Sequence, residues 1–244
     1  PPVTEHSKTG GGSSANMAWN ASPDWRSATP AYRFLSVVAR GPVRALARLR
    51  VRGLEHVPRE GPALLASNHM SWADPILIND AIPRPTHWLA KADLFRNAAG
   101  RAAMGAFGCI KVDRDARGND DAVATAVRAL SEGKLVGIFP EGTRSPPGEV
   151  RAGRTGAARV AALSGAPVVP VGVDATAFWP RDARAPRFGR KAYLAFGAPL
   201  ALGLAPEDAE DKERLRKATD DIMARVRALF DEAARAREED ARWR

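Results

Sequence analysis

From Val51 onward, short apolar runs alternate with segments of helical character, and this alternation restricts the chain to an α/β fold. Runs at 63–67, 88–91, 109–112, 135–139, 168–173 and 193–196 have the length and composition of buried strands. Between them, 75–81, 94–106, 120–131 and 155–163 read as helices. Strands that are apolar along their whole length, separated by helices, imply one largely parallel or mixed sheet covered on both faces. At the C-terminal end, 207–242 is highly charged but carries Leu215, Ala218, Ile222, Val226, Leu229 and Ala233 at helical spacing. It reads as one long amphipathic helix whose default role is to cover the sheet.

Composition narrows the setting. With 244 residues, the chain is long enough for a single α/β core. Its one cysteine, Cys109, permits no intrachain disulfide and suits a reducing compartment. His6, His56, His69 and His87 are scattered without ligand spacing, so no metal site is expected. The formal charge is +9 and the pI about 10.4, which points to an anionic partner: nucleic acid, anionic lipid or a phosphorylated substrate. There is no apolar run long enough to span a bilayer and no apolar leader, so neither a transmembrane helix nor a signal peptide is expected.

The chain divides into three parts by composition. Residues 1–25, rich in Gly, Ser, Asn and Thr, read as a disordered leader. Residues 26–52 contain seven arginines and no acid, with Arg33, Arg40, Arg44 and Arg48 set at helical spacing among apolar residues. Gly41-Pro42 divides this segment into two short basic amphipathic helices, a hairpin suited to lying in an anionic membrane surface. Residues 53–244 then read as the α/β domain, C-terminal helix included.

Chemistry gathers where the strands end, which is where parallel sheets collect ligands. The first run ends in Ser67-Asn68-His69-Met70-Ser71-Trp72-Ala73-Asp74-Pro75. Asp74 followed by Pro75 reads as the N-cap of the next helix. On one straight helix His69 and Asp74 would lie about 140° apart. A strand-to-helix turn can instead fold the carboxylate back onto one imidazole N–H, leaving the other nitrogen as a base. The bland alternative is a loop histidine beside a helix cap. The fourth run ends in Pro140-Glu141-Gly142-Thr143-Arg144-Ser145. There Gly142 permits a tight turn, and the Arg144 guanidinium can grip a phosphate through two parallel hydrogen bonds. Glu141 can orient such an arginine or face the substrate. Lys91 and Arg114 close two further runs, so three cations, Lys91, Arg114 and Arg144, are expected on one rim, extended by Arg151, Arg154 and Arg159.

These blocks resemble those of the glycerolipid acyltransferase family, the lysophosphatidic acid acyltransferases. Asn68-His69-Met70-Ser71-Trp72-Ala73-Asp74 matches the first block, and Phe139-Pro140-Glu141-Gly142-Thr143-Arg144-Ser145 the third. Gly108-Cys109-Ile110-Lys111-Val112-Asp113-Arg114 is similar to the second, and Val168-Val169-Pro170-Val171 to the fourth. The resemblance implies transfer of an acyl group from acyl-CoA or acyl-carrier protein to the sn-2 hydroxyl of lysophosphatidic acid, giving phosphatidic acid. It casts His69 as general base and Asp74 as its orienting partner. Lys91, Arg114, Glu141, Gly142, Thr143 and Arg144 become the substrate-binding set. No metal or bound cofactor is implied. Attachment is expected to be peripheral, at the cytoplasmic face of the cell membrane through 26–52. A covalent route through Ser71 is the weaker chemical variant. Other readings are a different lysophospholipid or glycolipid acceptor, or a non-enzymatic binder of anionic lipid or nucleic acid. The basic region lacks the interleaved aromatics of a nucleic-acid surface, so no nucleic-acid partner is expected.

Overall fold

The computed structural model describes residues 30, 45–82, 84–106, 108–112 and 120–239. The strands are β1 (Arg50–Arg52), β2 (Ala63–Ser67), β3 (Thr86–Lys91), β4 (Ile110–Val112), β5 (Leu135–Ile138), β6 (Val168–Asp174) and β7 (Tyr193–Phe196). They form one seven-stranded sheet in the order β1-β7-β6-β2-β5-β3-β4. Every neighbouring pair is parallel except β6 with β7. The helices are α1 (Asp74–Ala81), α2 (Ala98–Ala106), α3 (Asp120–Ser131), α4 (Gly156–Ser164) and α5 (Lys212–Glu239). This is the mostly parallel, helix-flanked sheet that the alternating pattern implies.

Period-two alternation within β2 explains why both faces need cover. Ala63 and Leu65 pack with Leu77, Ile78 and Ala81 of α1 on one side. Leu64 and Ala66 pack with α3, α4 and α5 on the other, through Ala126, Val160 and Ile222 among others. Each fully buried leucine contributes about 2 kcal/mol relative to exposure. The crossover from β2 thus leaves over the α1 face, and that from β5 over the α4 face. Because β2 and β5 are neighbours, the crevice between their carboxyl ends is a topological switch point, where open parallel sheets bind ligands.

Two devices secure the sheet away from that crevice. At the opposite end, fully buried Arg84 donates to the carbonyls of Pro58 (2.8 Å), Gly61 (2.9 Å) and Gly133 (3.2 Å), joining the segments that enter β2 and β5. Along β6, α5 lies directly on the backbone. A Cβ on Gly172 would stand 2.2 Å from the Leu229 carbonyl carbon, so only glycine admits the helix there.

Several boundaries differ from the sequence expectation, each for a local reason. Arg50–Arg52, assigned above to the basic helical segment 26–52, is an edge strand paired with β7. The helical turn before it ends at Arg48, whose φ of 42° leaves the helical region. Apart from Pro30, the rest of the expected hairpin up to residue 44 lies outside the described residues, as do residues 1–25. The single helix expected over 94–106 is a short 3₁₀ turn, Ala92–Phe95, followed by α2. Asn97 divides them, its Oδ1 accepting from Gly100 N at 2.6 Å in the manner of an N-cap. Asp211 does the same for α5, accepting from Glu213 N and Arg214 N at 3.0 Å each, so that Pro206–Glu210 forms a separate 3₁₀ turn. Among the described residues no helix is long and apolar enough to cross a membrane.

Replacing Gly172 by alanine should push α5 off β6. We expect a loss of about 3 kcal/mol, read as a lowered urea midpoint with unchanged slope. A midpoint equal to that of the parent would contradict the close approach.

Candidate active site

The turn after β2 is built around one buried carboxylate. Asp74 Oδ2 accepts from Met70 N at 2.7 Å, from Ser71 N at 2.8 Å and meets His69 Nδ1 at 2.9 Å. Asp74 itself has no exposed side-chain surface, while the His69 side chain is 17% exposed. Asp74 is therefore not the N-cap expected above. Ala73 holds that position and Asp74 is the first helical residue, its carboxylate turned back onto the preceding turn. A negative charge there also sits at the positive end of α1. With Nδ1 engaged, Nε2 is the ring nitrogen available to a ligand.

Flanking strands fix the same turn from both sides. Asn68, fully buried, exchanges two hydrogen bonds with Val173 of β6: Nδ2 to the carbonyl and Oδ1 from the amide, both 2.8 Å. From the β5 side, Glu141 Oε1 accepts from His69 N at 2.8 Å, and Ser145 N donates to the His69 carbonyl at 2.7 Å. Glu141 Oε2 takes the Ser145 hydroxyl and Arg151 N. Glu141 thus neither pairs with Arg144 nor lines the pocket; its carboxylate clamps the His69 backbone. Burial pushes its pKa up, opposed by the bonds from His69 and Arg151. Gly142, at φ 71°, makes the turn that returns the chain beneath it.

His69 forms one end of an aromatic stack. Its ring lies 4.0 Å from that of Phe139 with 16° between planes, and Phe139 lies 4.5 Å from Trp88 at the same angle. Trp88 is oriented by a 2.7 Å bond from Nε1 to Asn79 Oδ1. The stack forms one wall of a cleft of about 970 Å³, which also contains Trp72, Ile76, Leu94 and Met104. Lys91, Gly142, Thr143 and Arg144 line it, and so do Arg181 and Arg184, which the sequence reading did not single out. The Arg144 guanidinium rests 4.1 Å over the Trp72 ring, and Lys91 Nζ stands 2.8 Å from Asp93. Arg114 lies outside the described residues. Arg159 does not extend this rim, because its guanidinium pairs with Asp120 and Glu210 on the far side of the sheet.

The remaining nucleophiles are poorly placed for covalent chemistry. Ser71 is fully buried, donating to the Trp179 carbonyl at 2.7 Å and accepting from Ala73 N at 3.1 Å. Cys109 lines the cleft, but burial pushes its thiol up to about 11, leaving it protonated at neutral pH. Among the described residues no group of His, Cys, Asp or Glu has metal-binding geometry.

A histidine held by a carboxylate at the switch point of a parallel sheet, beside a Gly-Thr-Arg turn, is the arrangement the quoted blocks imply. The family model described as Acyltransferase matches residues 48–174, the segment that carries all of it. The chain belongs to the acyltransferase family. It is similar to the 1-acyl-sn-glycerol-3-phosphate acyltransferase of Bacillus subtilis, 28% identical over 74% of this chain and 87% of that protein. The Borreliella burgdorferi protein of the same name is 30% identical over 51% of this chain and 50% of its own length. In fold, this acyltransferase resembles the crystal structure of the 1-acyl-sn-glycerophosphate (LPA) acyltransferase PlsC from Thermotoga maritima. The TM-score is 0.63 at 23% identity, covering 87% of this chain and 80% of that one.

Replacing Glu141 by glutamine puts an amide N–H against a donor that the carboxylate now accepts. Turnover should fall by about 10–100-fold with the donor KM little changed, because Glu141 positions the His69 backbone and touches no pocket ligand. The parent should also show a pH signature that the variant lacks. A carboxyl raised by burial binds its proton more tightly folded than unfolded. Its contribution is therefore full below the ordinary carboxyl range and is lost as pH rises through the raised native value. The stability gap between parent and variant, measured by denaturant titration across that range, should shift in that direction.

Proposed function

We propose that this acyltransferase moves a fatty acyl group from a thioester, acyl-CoA or acyl-carrier protein, to the sn-2 hydroxyl of lysophosphatidic acid, giving phosphatidic acid. The observation that carries the proposal is the His69–Asp74 pair opening into a cleft whose walls are apolar and whose rim bears Lys91 and Arg144. Apolar walls suit acyl chains, and guanidinium and ammonium groups suit an acceptor phosphate. The names of the Bacillus and Borreliella relatives point to the same acceptor.

In this scheme His69 Nε2 takes the proton from the acceptor hydroxyl as its oxygen attacks the thioester carbonyl. The new C–O bond forms, the tetrahedral centre collapses, the C–S bond breaks, and the leaving thiolate takes the proton from the His69 imidazolium, which returns the histidine to its neutral form. Asp74 keeps the Nδ1 proton in place and stabilises the transient imidazolium, while Asn68 and Glu141 hold the turn in register. Phe139 fixes the ring plane. Lys91, Thr143 and Arg144 bind the acceptor phosphate, with Arg114 as a further contributor, and Gly142 shapes the turn. General-base catalysis of this kind supplies about 10²–10⁴-fold, and the joint positioning of two substrates the rest. The scheme calls on no bound cofactor. The part of the basic segment 26–52 that precedes β1, with its arginines and no acid, would attach the enzyme peripherally to anionic lipid at the cytoplasmic face.

Transfer of a labelled acyl group from acyl-CoA to lysophosphatidic acid tests the reading. His69→Ala should lose at least about 10²-fold in kcat and Asp74→Asn a comparable amount. Arg144→Ala should instead raise the acceptor KM by about tenfold or more, the value of one charge-assisted contact. Labelled product from a lysophospholipid lacking the free phosphate, or from a glycolipid, with none from lysophosphatidic acid would keep the chemistry and replace the acceptor. Undiminished transfer by His69→Ala would sink the base assignment.

A further inference from the structure

The distribution of exposed apolar side chains is uneven. Among the described residues the large ones most exposed are Leu46, Trp72, Leu94, Leu163 and Phe188. Topology places four of them at one end of the molecule. Trp72 follows the carboxyl end of β2 and Leu94 that of β3, and both line the cleft. Phe188 lies in the 175–192 connection from β6 to β7, whose two ends meet at the same rim because Asp174 pairs with Tyr193. Leu46 precedes β1, whose first residue, Arg50, pairs with Tyr193, and the Ala47 carbonyl accepts from Ala192 N at 3.0 Å. Leu163 alone lies at the opposite end, near the C-terminus of α4.

The 175–192 connection is built to present Phe188. It carries Arg181, Arg184, Arg187, Arg190 and Lys191 against one acid, Asp182. Phe178 is buried in the core, and the Trp179 carbonyl accepts from Ser71 Oγ at 2.7 Å. Arg187 N donates to the Phe178 carbonyl at 2.6 Å, closing the segment on itself. Phe188 stands just past that closure, in the turn where Arg190 N approaches the Arg187 carbonyl at 3.4 Å, with 69% of its surface exposed, the most exposed of the five. A solvated phenyl ring between cations matches an anionic bilayer interface, where the ring enters the acyl boundary and the cations meet the headgroups.

We propose that the 175–192 connection is a membrane-docking element distinct from residues 26–52, seating the mouth of the cleft on an anionic lipid surface with Phe188 inserted. The proposal rests on the lipid-acceptor reading only in explaining why a cleft mouth would face a bilayer. An acidic acyl-carrier protein offers the same negative charge but gives no apolar medium for a protruding phenyl ring, so lipid is the occupant the surface favours.

Sedimentation of the full chain with phosphatidylglycerol or phosphatidylcholine vesicles tests this. Phe188→Asp should weaken partitioning onto phosphatidylglycerol by about tenfold, Phe188→Trp should keep it, and Leu163→Asp should leave it unchanged. Parent partitioning onto phosphatidylcholine should be much weaker. Phe188→Asp binding vesicles like the parent, or Leu163→Asp losing as much, would overturn the proposal. It would equally be overturned if Phe188→Asp lost binding to acyl-carrier protein while keeping that to vesicles. Transfer to a short-chain, water-soluble lysophosphatidate, run in parallel, reports the catalytic reading separately: Phe188→Asp should retain it, which also shows that the variant is folded.

Discussion

A single carboxylate oxygen, Asp74 Oδ2, holds the geometry on which the cleft depends. Burying a carboxylate costs several kcal/mol unless donors surround it. Here three converge on one oxygen, two of them backbone amides of the intervening turn. The turn adopts its shape because it must satisfy the carboxylate, and that shape delivers His69 Nδ1 to the same oxygen. Orientation of the imidazole and folding of the turn are thus one event. A helix starting at Asp74 adds its positive end to the balance, and Pro75 in the first turn costs no hydrogen bond.

The turn is in turn fixed to the sheet by its two neighbours. Asn68 matches the free donor and acceptor of Val173 on β6, and Glu141 reaches across from β5 to the His69 amide. Three adjacent strands therefore share responsibility for the position of one ring, and the Phe139 stack restrains its plane. At the other end of the sheet Arg84 ties the loops entering β2 and β5, so the strands that carry the site are held at both ends.

What was legible in the sequence followed from burial and period. Strands β2 and β7 and helix α3 were found with their bounds, because runs buried on both faces and an amphipathic stripe leave strong patterns. β1 was missed because Arg50-Val51-Arg52 holds one apolar residue and gains its place only by pairing with β7. The breaks before α2 and α5 were missed because apolar spacing continues across them, and only the caps Asn97 and Asp211 mark the ends. That His69, Lys91, Thr143 and Arg144 share one cleft was legible from their positions at or just past strand ends. The role of Glu141 was not, since a carboxylate beside an arginine in sequence invites an ion pair, and its actual partners are the main-chain amides of His69 and Arg151 and the Ser145 hydroxyl. Asn68 could have been suspected on one ground: an amide side chain at the end of an all-buried strand needs both its groups satisfied.

Arg181 and Arg184 could not be found from spacing at all, since they lie more than a hundred residues from His69. What brings them to the cleft is the direction of one strand. Had β7 joined β6 in parallel, the connection would have crossed to the opposite end of the sheet before returning. Antiparallel pairing, Asp174 with Tyr193, starts and finishes that connection at the rim. Ser71 then draws its Trp179 carbonyl down onto the histidine turn, and Arg144 approaches the Arg181 carbonyl at 3.4 Å. The one reversal in an otherwise parallel sheet therefore places a basic segment beside the cleft and adds Arg181 and Arg184 to Lys91 and Arg144 at its mouth.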